Sequence, residues 1–402
     1  MTSTPTIHGH CSPRFGAVAD AFTEGFTKRG ELGASVSVWH LGSEVVKLWA
    51  GIADPASGRP WAEDTIGVAF SSTKGMTALC LMMLADRGEL DYDARITTYW
   101  PSFAEPGSTK ADITVRCFLN HRSGLCAIEQ PLGLADFEDR ERLLPALEAQ
   151  QPLWEPGTRQ GYHAVSFGPF MAELFWRIAG ESIGSFFARE VAGPLGVDFH
   201  IGLSEKDERR VATVVTASMT QRLFKVIPTL IRGAGWDGRL FRAAITAGSY
   251  TKLALTNPAE LGVRHLDNFN TPRVHRMELP WAGGIGTASA LARVYATLAA
   301  GGTLDGVQLV RPETVAAVHP RLTWQQDEVL HKTMGFSLGF VKEEPEIFSP
   351  NPDAFGHPGA GGVLGLADPT ENLAIGYVMN RMDWRLRSPR TIELCKAVYS
   401  CV

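Results

Sequence analysis

Ile66-Gly67-Val68-Ala69-Phe70-Ser71-Ser72-Thr73-Lys74-Gly75-Met76-Thr77-Ala78-Leu79-Cys80-Leu81-Met82 is the stretch whose reading decides the fold. A strand-like run leads straight into Ser71, and from there an apolar helix is expected to reach about Arg87, where Gly88 stops it. Residues three apart share a helix face, so the Ser71 hydroxyl and the Lys74 amine meet at the first turn. A serine hydroxyl becomes a nucleophile only when a base takes its proton. A lysine is such a base only where burial or nearby positive potential keeps it neutral, and the flanking Met76, Leu79, Cys80, Leu81 and Met82 supply an apolar setting. A helix start also offers unpaired N–H groups and a dipole that favour a negative oxygen. The same pattern fits a capping serine followed by a solvated lysine, so its meaning depends on partners elsewhere in the chain.

Two such partners are visible. Gly161-Tyr162-His163-Ala164 follows the turn signal Glu155-Pro156-Gly157 and brings a phenol able to bridge Ser71 and Lys74 and to pass a proton to a leaving group. Phe355-Gly356-His357-Pro358-Gly359-Ala360-Gly361-Gly362 precedes the apolar Val363-Leu364-Gly365-Leu366. Glycines on an edge strand let substrate and backbone approach closely, so this run can place an N–H, that of Ala360, opposite the N–H of Ser71 as an oxyanion hole. Taken alone, Tyr162 also reads as a loop cap and the glycines as a connection between strands.

In order and spacing these three elements resemble the penicillin-recognising serine hydrolases, and in particular the family VIII carboxylesterases related to class C β-lactamases. The resemblance covers nearly the whole chain. It extends to Leu119-Asn120-His121-Arg122-Ser123-Gly124-Leu125, to Ala282-Gly283-Gly284-Ile285-Gly286-Thr287-Ala288, and to the closing strand Ala374-Ile375-Gly376-Tyr377-Val378-Met379-Asn380. It implies Ser71 as nucleophile, Lys74 as base and Tyr162 as proton relay, with Gly356–Gly362 in the place of the Lys-Thr-Gly strand; that pairing of motifs is a general property of β-lactamases and penicillin-binding proteins. Two departures matter. The family's Tyr-x-Asn is Tyr162-His163-Ala164 here, and its Lys-Thr-Gly is His357-Pro358-Gly359. His357 is then a weaker, pH-dependent cation, and Pro358 has neither a hydroxyl nor an N–H. His357 and Gly359 remain candidate substrate contacts, but the losses point toward esters lacking the carboxylate that the family's lysine and threonine hold.

Two other motifs read as decoys. Gly180-Glu181-Ser182-Ile183-Gly184 matches a nucleophile elbow, but a helical pattern rather than a strand precedes it, so Ser182 is expected to be a turn or cap residue. Lys332-Thr333-Met334 lacks a glycine in third place. His121 and His163 are expected to be structural hydrogen-bonding residues.

Around these motifs, Ala34–Trp39 and Glu44–Ala50 read as a hairpin turned at Leu41-Gly42-Ser43. Helices are expected after Thr114, at 136–149, 166–179, 186–192, from Ala288 to Ala300 and from Pro389; strands are expected at 335–342, 362–367 and 373–379. Hairpin and C-terminal strands sharing one antiparallel sheet, with helical material between, make an α+β layout. The expectation is one β-lactamase-like unit of two lobes, an α/β lobe from about 1–70 and 290–402 and a mainly helical lobe of about 71–289. The apolar, aromatic segment 218–275, including Phe224, Ile227, Leu230, Ile231, Trp236, Leu240 and Phe241, reads as a wall or cover for an acyl pocket, with Trp236 a candidate substrate contact; core packing or a dimer surface fits equally.

The 402 residues are 45% hydrophobic and 20% charged with a formal net charge of -5, which gives no electrostatic footprint for nucleic acid or an anionic membrane. No secretory signal or membrane-length apolar run is visible, and the six cysteines have no metal-type spacing, so free thiols and a cytoplasmic location are expected. The expected activity is a serine carboxylesterase acting on short-chain esters, with a small-molecule ester as its partner and no metal or organic cofactor. Acyl transfer on the same residues, weak β-lactamase or peptidase activity, and a silent ligand-binding relative are the alternatives; oligomeric state is unknown.

Overall fold

The computed structural model of the chain describes residues 5–216, 235–342 and 347–402. Nine strands run through one antiparallel sheet: β1 (Ile7–Cys11), β2 (Gly33–His40), β3 (Ser43–Asp54), β4 (Thr323–Gln326), β5 (Thr333–Ser337), β6 (Phe340–Lys342), β7 (Phe355–Pro358), β8 (Leu364–Asp368) and β9 (Leu373–Met379), in the spatial order β1-β3-β2-β9-β8-β7-β6-β5-β4; Arg59–Pro60 pairs with β3 as a short tenth. The N-terminal hairpin therefore joins the C-terminal strands through β2 and β9, registered from Ala34↔Met379 to His40↔Leu373. This is the expected α+β, β-lactamase-like layout.

Every residue of β9 is buried, as a strand covered on both faces requires. Helix α1 (Gly16–Lys28), α2 (Thr73–Asp86), α3 (Phe167–Ala179), α4 (Ala288–Ala299) and α5 (Pro389–Tyr399) are the longer helices that frame the sheet and the site. Alternation along β9 presents Gly376 to α4 and Tyr377 to Arg390 at the start of α5, and α1 packs on α5. Helix α2 is buried from Thr73 through Leu84; apolar on all sides, it runs through the interior rather than along a surface.

Several boundaries differ from expectation for identifiable reasons. The run 335–342 is a hairpin, because Leu338 and Gly339 both take left-handed φ (47° and 93°) in a two-residue turn that pairs Ser337 with Phe340. The 136–149 helix is two, Leu134–Phe137 and Arg140–Ala149, because the Asp139 side chain accepts from the N–H groups of Glu141 and Arg142 and starts a second helix. The 186–192 helix begins earlier, at Ile183, with Ser182 as its cap. β1 had no signal in the sequence. The glycine-rich β7 is not an edge strand: it pairs with β8 from Phe355↔Ala367 to Pro358↔Leu364, and with β6 at Val341↔Gly356.

Candidate active site

The chain enters the site through Gly67–Val68, which pairs with Gly284–Gly286, and turns tightly at Phe70–Ser72 before α2 begins. Phe70 has φ 45°, a left-handed conformation costly for a bulky residue, and its buried ring packs on Phe269 at 5.2 Å. That strained residue immediately precedes Ser71, which is partly exposed, whereas Ser72, Thr73 and Lys74 are buried. Ser72 Oγ donates to the carbonyl of His357 (2.8 Å), and Thr73 Oγ1 accepts from Gly284 N (2.9 Å). These two bonds lock the start of α2 between β7 and the Gly284–Gly286 strand.

Lys74 is fully buried. Its Nζ donates to the carbonyls of Ala164 (2.8 Å) and Trp281 (3.1 Å) and stands 4.9 Å from the centre of the Tyr162 ring. Burial drives its pKa well below the usual lysine range. The Tyr162 phenol is pushed up by burial, opposed by a hydrogen bond with the Ser71 side chain and then by the field of Arg387. Ser71, Lys74 and Tyr162, separated by up to 91 positions in sequence, thus meet at one place.

Tyr162 lies on an irregular segment held from two sides. Gly161 N donates to His121 O (2.9 Å) and His163 N to His121 Nδ1 (3.1 Å). Tyr162 N donates to Asp327 Oδ1 (3.1 Å). His163 shares a hydrogen bond with Ser123 Oγ (3.1 Å). Burial lowers the pKa of His163 to about 3 and that of His121 well below the usual range, with neighbouring positive groups adding to both. Both histidines therefore act as neutral hydrogen-bonding residues.

Gly359 packs against the turn before the nucleophile: a side chain there would come within 2.5 Å of Ala69 O and 3.2 Å of Ser72 Oγ. Ala360 next to it is exposed. Gly359 N is engaged by Val363 O (2.7 Å). The expected cation at His357 is not present. The ring is 1% exposed, and burial and then Lys74 lower its pKa well below the usual histidine range. Nδ1 lies 2.9 Å from the Pro358 carbonyl, so it carries the proton, and Nε2 is left as a buried lone pair without a partner among the described residues.

Ser182 Oγ accepts from Ser185 N and donates to Glu278 (2.8 Å), a helix cap as expected. Trp236 is the first residue of the helix Trp236–Ile245; its side chain, and the segment containing Phe224, Ile227, Leu230 and Ile231, lie outside the described residues. Sequence reading passed over Asp327 and Arg387. Asp327 carried only a turn signal ahead of Val329. Arg387 is 5% exposed, yet its field reaches both Tyr162 and His357. The six cysteines are free thiols. Among the described residues no cluster could hold a metal ion, and no helix is long and apolar enough to cross a membrane.

With this geometry in place, likeness to known proteins is informative. The Beta-lactamase family model matches residues 18–394. Esterase/beta-lactamase LipL of Mycobacterium tuberculosis is 34% identical over 386 residues, which are 94% of this chain and 83% of LipL. The crystal structure of a family VIII carboxylesterase superposes with a TM-score of 0.86 at 36% identity, over 99% of this chain and 100% of that one. A penicillin-binding protein homologue from Caulobacter crescentus gives the same TM-score at 32% identity, over 99% and 100% of the two chains. The chain belongs to the Beta-lactamase family, as an ester hydrolase of the kind found among its family VIII carboxylesterases.

Proposed function

We propose that the protein is a serine carboxylesterase that cleaves short-chain, uncharged esters through an acyl-Ser71 intermediate. The observation that carries this reading is the state of Lys74: fully buried, with its pKa lowered and its Nζ bonded to two carbonyls. A neutral amine has two N–H bonds and one lone pair. The carbonyls of Ala164 and Trp281 take the two N–H bonds, and the lone pair remains for the Ser71 proton. Ser71 Oγ then attacks the ester carbonyl, and the oxyanion is held by the N–H groups of Ser71 and Ala360. The high pKa of Tyr162 keeps its phenol protonated, so it donates its proton to the departing alkoxide and recovers from Lys74 the one that Lys74 took from Ser71. Water enters by the reverse sequence and releases the acid. The site would lie where the α/β lobe carrying β7 meets the mainly helical lobe carrying α2 and Tyr162.

LipL's name joins esterase and β-lactamase. For this chain the buried, neutral His357 favours the ester, because the charge that would hold a β-lactam carboxylate is missing from that position. Each absent charge-assisted hydrogen bond costs roughly 1.5–3 kcal/mol, about one to two powers of ten in rate when it acts in the transition state. The test combines a fluorophosphonate label located by mass spectrometry with kinetics on aryl acetate, aryl butyrate and a chromogenic cephalosporin. Ser71→Ala should abolish labelling and hydrolysis while Ser182→Ala keeps both. A label on Ser182, or a cephalosporin kcat/KM equal to that of the aryl esters, would overturn the assignment.

A further inference from the structure

We propose that Asp327 is the positioning residue for the Tyr162 phenol, through its carboxylate bond to the Tyr162 backbone N–H. The inference rests on the role given to Tyr162 above. Tyr162 has no helix or strand to hold it; its neighbour Gln160 makes only an isolated parallel bridge with Asp327. One flank of the segment is pinned by His121, and on the other Asp327 is the side chain that takes the Tyr162 N–H itself. Asp327 Oδ1 accepts from Tyr162 N (3.1 Å), Val329 N (2.9 Å) and Leu330 N (2.8 Å), and Oδ2 lies 3.5 Å from Gln160 Nε2. Glu328 N closes the same junction on Gln160 O (2.9 Å).

Capping the turn from Asp327 to Leu330 needs only an acceptor, and a neutral asparagine would provide it without burying a charge. A fully buried carboxylate is costly there, and desolvation raises its pKa to about 6 against the pull of its N–H donors. What the charge adds is strength, since N–H bonds to a carboxylate are roughly twice as strong as neutral ones. The reinforced bond falls on the backbone of the residue whose hydroxyl must meet Ser71. The phenol oxygen lies a full ring beyond Cα, so a small tilt at the backbone becomes a larger error at the proton. The ring itself is bounded by His121, His357 and Phe336, at 4.9, 6.1 and 6.3 Å between centres.

A misplaced proton donor has a signature that general destabilisation lacks. It harms esters with poor leaving groups far more than those with good ones, because only the former need the proton. The experiment compares kcat/KM for ethyl acetate and p-nitrophenyl acetate in the parent, Asp327→Ala, Asp327→Asn, Tyr162→Phe and the double variant Asp327→Ala/Tyr162→Phe, each corrected for active sites by fluorophosphonate titration. The expected result is a shift of the ethyl-to-nitrophenyl ratio by about tenfold or more in Tyr162→Phe and in Asp327→Ala, with the double variant no worse than Tyr162→Phe alone. Equal losses on both esters in Asp327→Ala, or a double variant showing the product of the single losses, would overturn the proposal. An unchanged ratio in Tyr162→Phe would defeat the phenol's role and Asp327's with it, a failure distinguishable from that of Asp327 alone. Should Asp327→Ala not fold, Asp327→Asn carries the test: it keeps an acceptor and loses the charge, so about a threefold shift is expected and an unchanged ratio refutes.

Discussion

Replacing Gly75 with alanine should destabilise the protein only while Tyr295 keeps its hydroxyl. A methyl group at Gly75 would overlap the Tyr295 hydroxyl oxygen outright, yet it would lie 3.2 Å from Cζ and 3.5 Å from His357 Cβ. Tyr295 has no room to retreat, being fully buried with its ring edge pressed on the backbone of Gly365. Overpacking of this kind costs roughly 1–3 kcal/mol, and the upper end applies against a pinned ring. Alanine in place of glycine within a helix returns about 1 kcal/mol, so Gly75→Ala should lose about 1–2 kcal/mol. The Tyr295 hydroxyl finds no partner among the described residues. Since a buried unsatisfied polar group costs about 1–3 kcal/mol, Tyr295→Phe should gain about 1 kcal/mol. In that background Cζ is the nearest atom of the ring and yields by a few tenths of an ångström, so adding Gly75→Ala should be neutral or slightly stabilising. The cycle predicts a coupling of about 2 kcal/mol. Urea unfolding of the four proteins measures it, with fluorophosphonate labelling as the check that the neighbouring Lys74 still serves Ser71. Additivity within about 0.5 kcal/mol would refute the clash, and a Tyr295→Phe variant less stable than the parent would mean that the hydroxyl is hydrogen-bonded after all.

Two further predictions concern the charges. In the proposed mechanism Lys74 is the base in its neutral form, which is populated above its pKa, and burial has moved that pKa down; kcat/KM for an uncharged ester should therefore rise with pH through the lowered value and level off above it. Lys74→Arg, permanently protonated, should retain less than about a hundredth of parental activity by the usual size of general-base effects, and near-parental turnover would remove Lys74 from the mechanism. Glu31 and Arg390 form a buried ion pair at 2.6 Å, and Arg390 also donates to Gly361 O (3.1 Å) in the loop after Ala360. Glu31→Gln, which strands a buried guanidinium, should cost about 3–5 kcal/mol in urea unfolding, and Glu31→Gln/Arg390→Met should recover a good part of it; a loss under about 1 kcal/mol would show the pair to be solvated.

Much of this arrangement was legible in the sequence because local pattern and tertiary role coincide. The uninterrupted apolar Leu373–Met379 encodes a fully covered strand, and the structure pairs it directly with Ala34–Trp39, where every residue but Ser35 is buried. The Ser71-to-Lys74 spacing is itself the geometry of a first helical turn, and so needs no long-range information. What escaped depends on burial and distant pairing. Asp327 meets Tyr162 across 165 positions, and nothing in Gln325-Gln326-Asp327-Glu328 distinguishes a buried carboxylate from a surface turn. β7 looked like a loop or an edge because its glycines lower strand propensity, whereas the close packing of Gly356 on Gly365 is what its sequence allows. His357 was read as a weak cation because residue type alone carries no dielectric.

That last error bears on both mechanism and specificity, because one physical cause governs them. The base role proposed for Lys74 rests on its burial between α2, β7 and the Tyr162 segment, where charging any group is penalised. The same interior holds His121, His163 and His357 in their neutral forms. A site that makes its lysine a nucleophile's base by exclusion of water cannot also keep a histidine one strand away charged for a substrate carboxylate. The field of the buried Arg387 favours negative charge on the Tyr162 phenol. A charged substrate brought into this interior would pay the desolvation of its charge. An uncharged ester brings no charge to desolvate, and in the proposed reaction it develops charge only at the carbonyl oxygen. On the proposed mechanism, a neutral Lys74 and a preference for uncharged esters share one cause, the cost of placing charge in this interior.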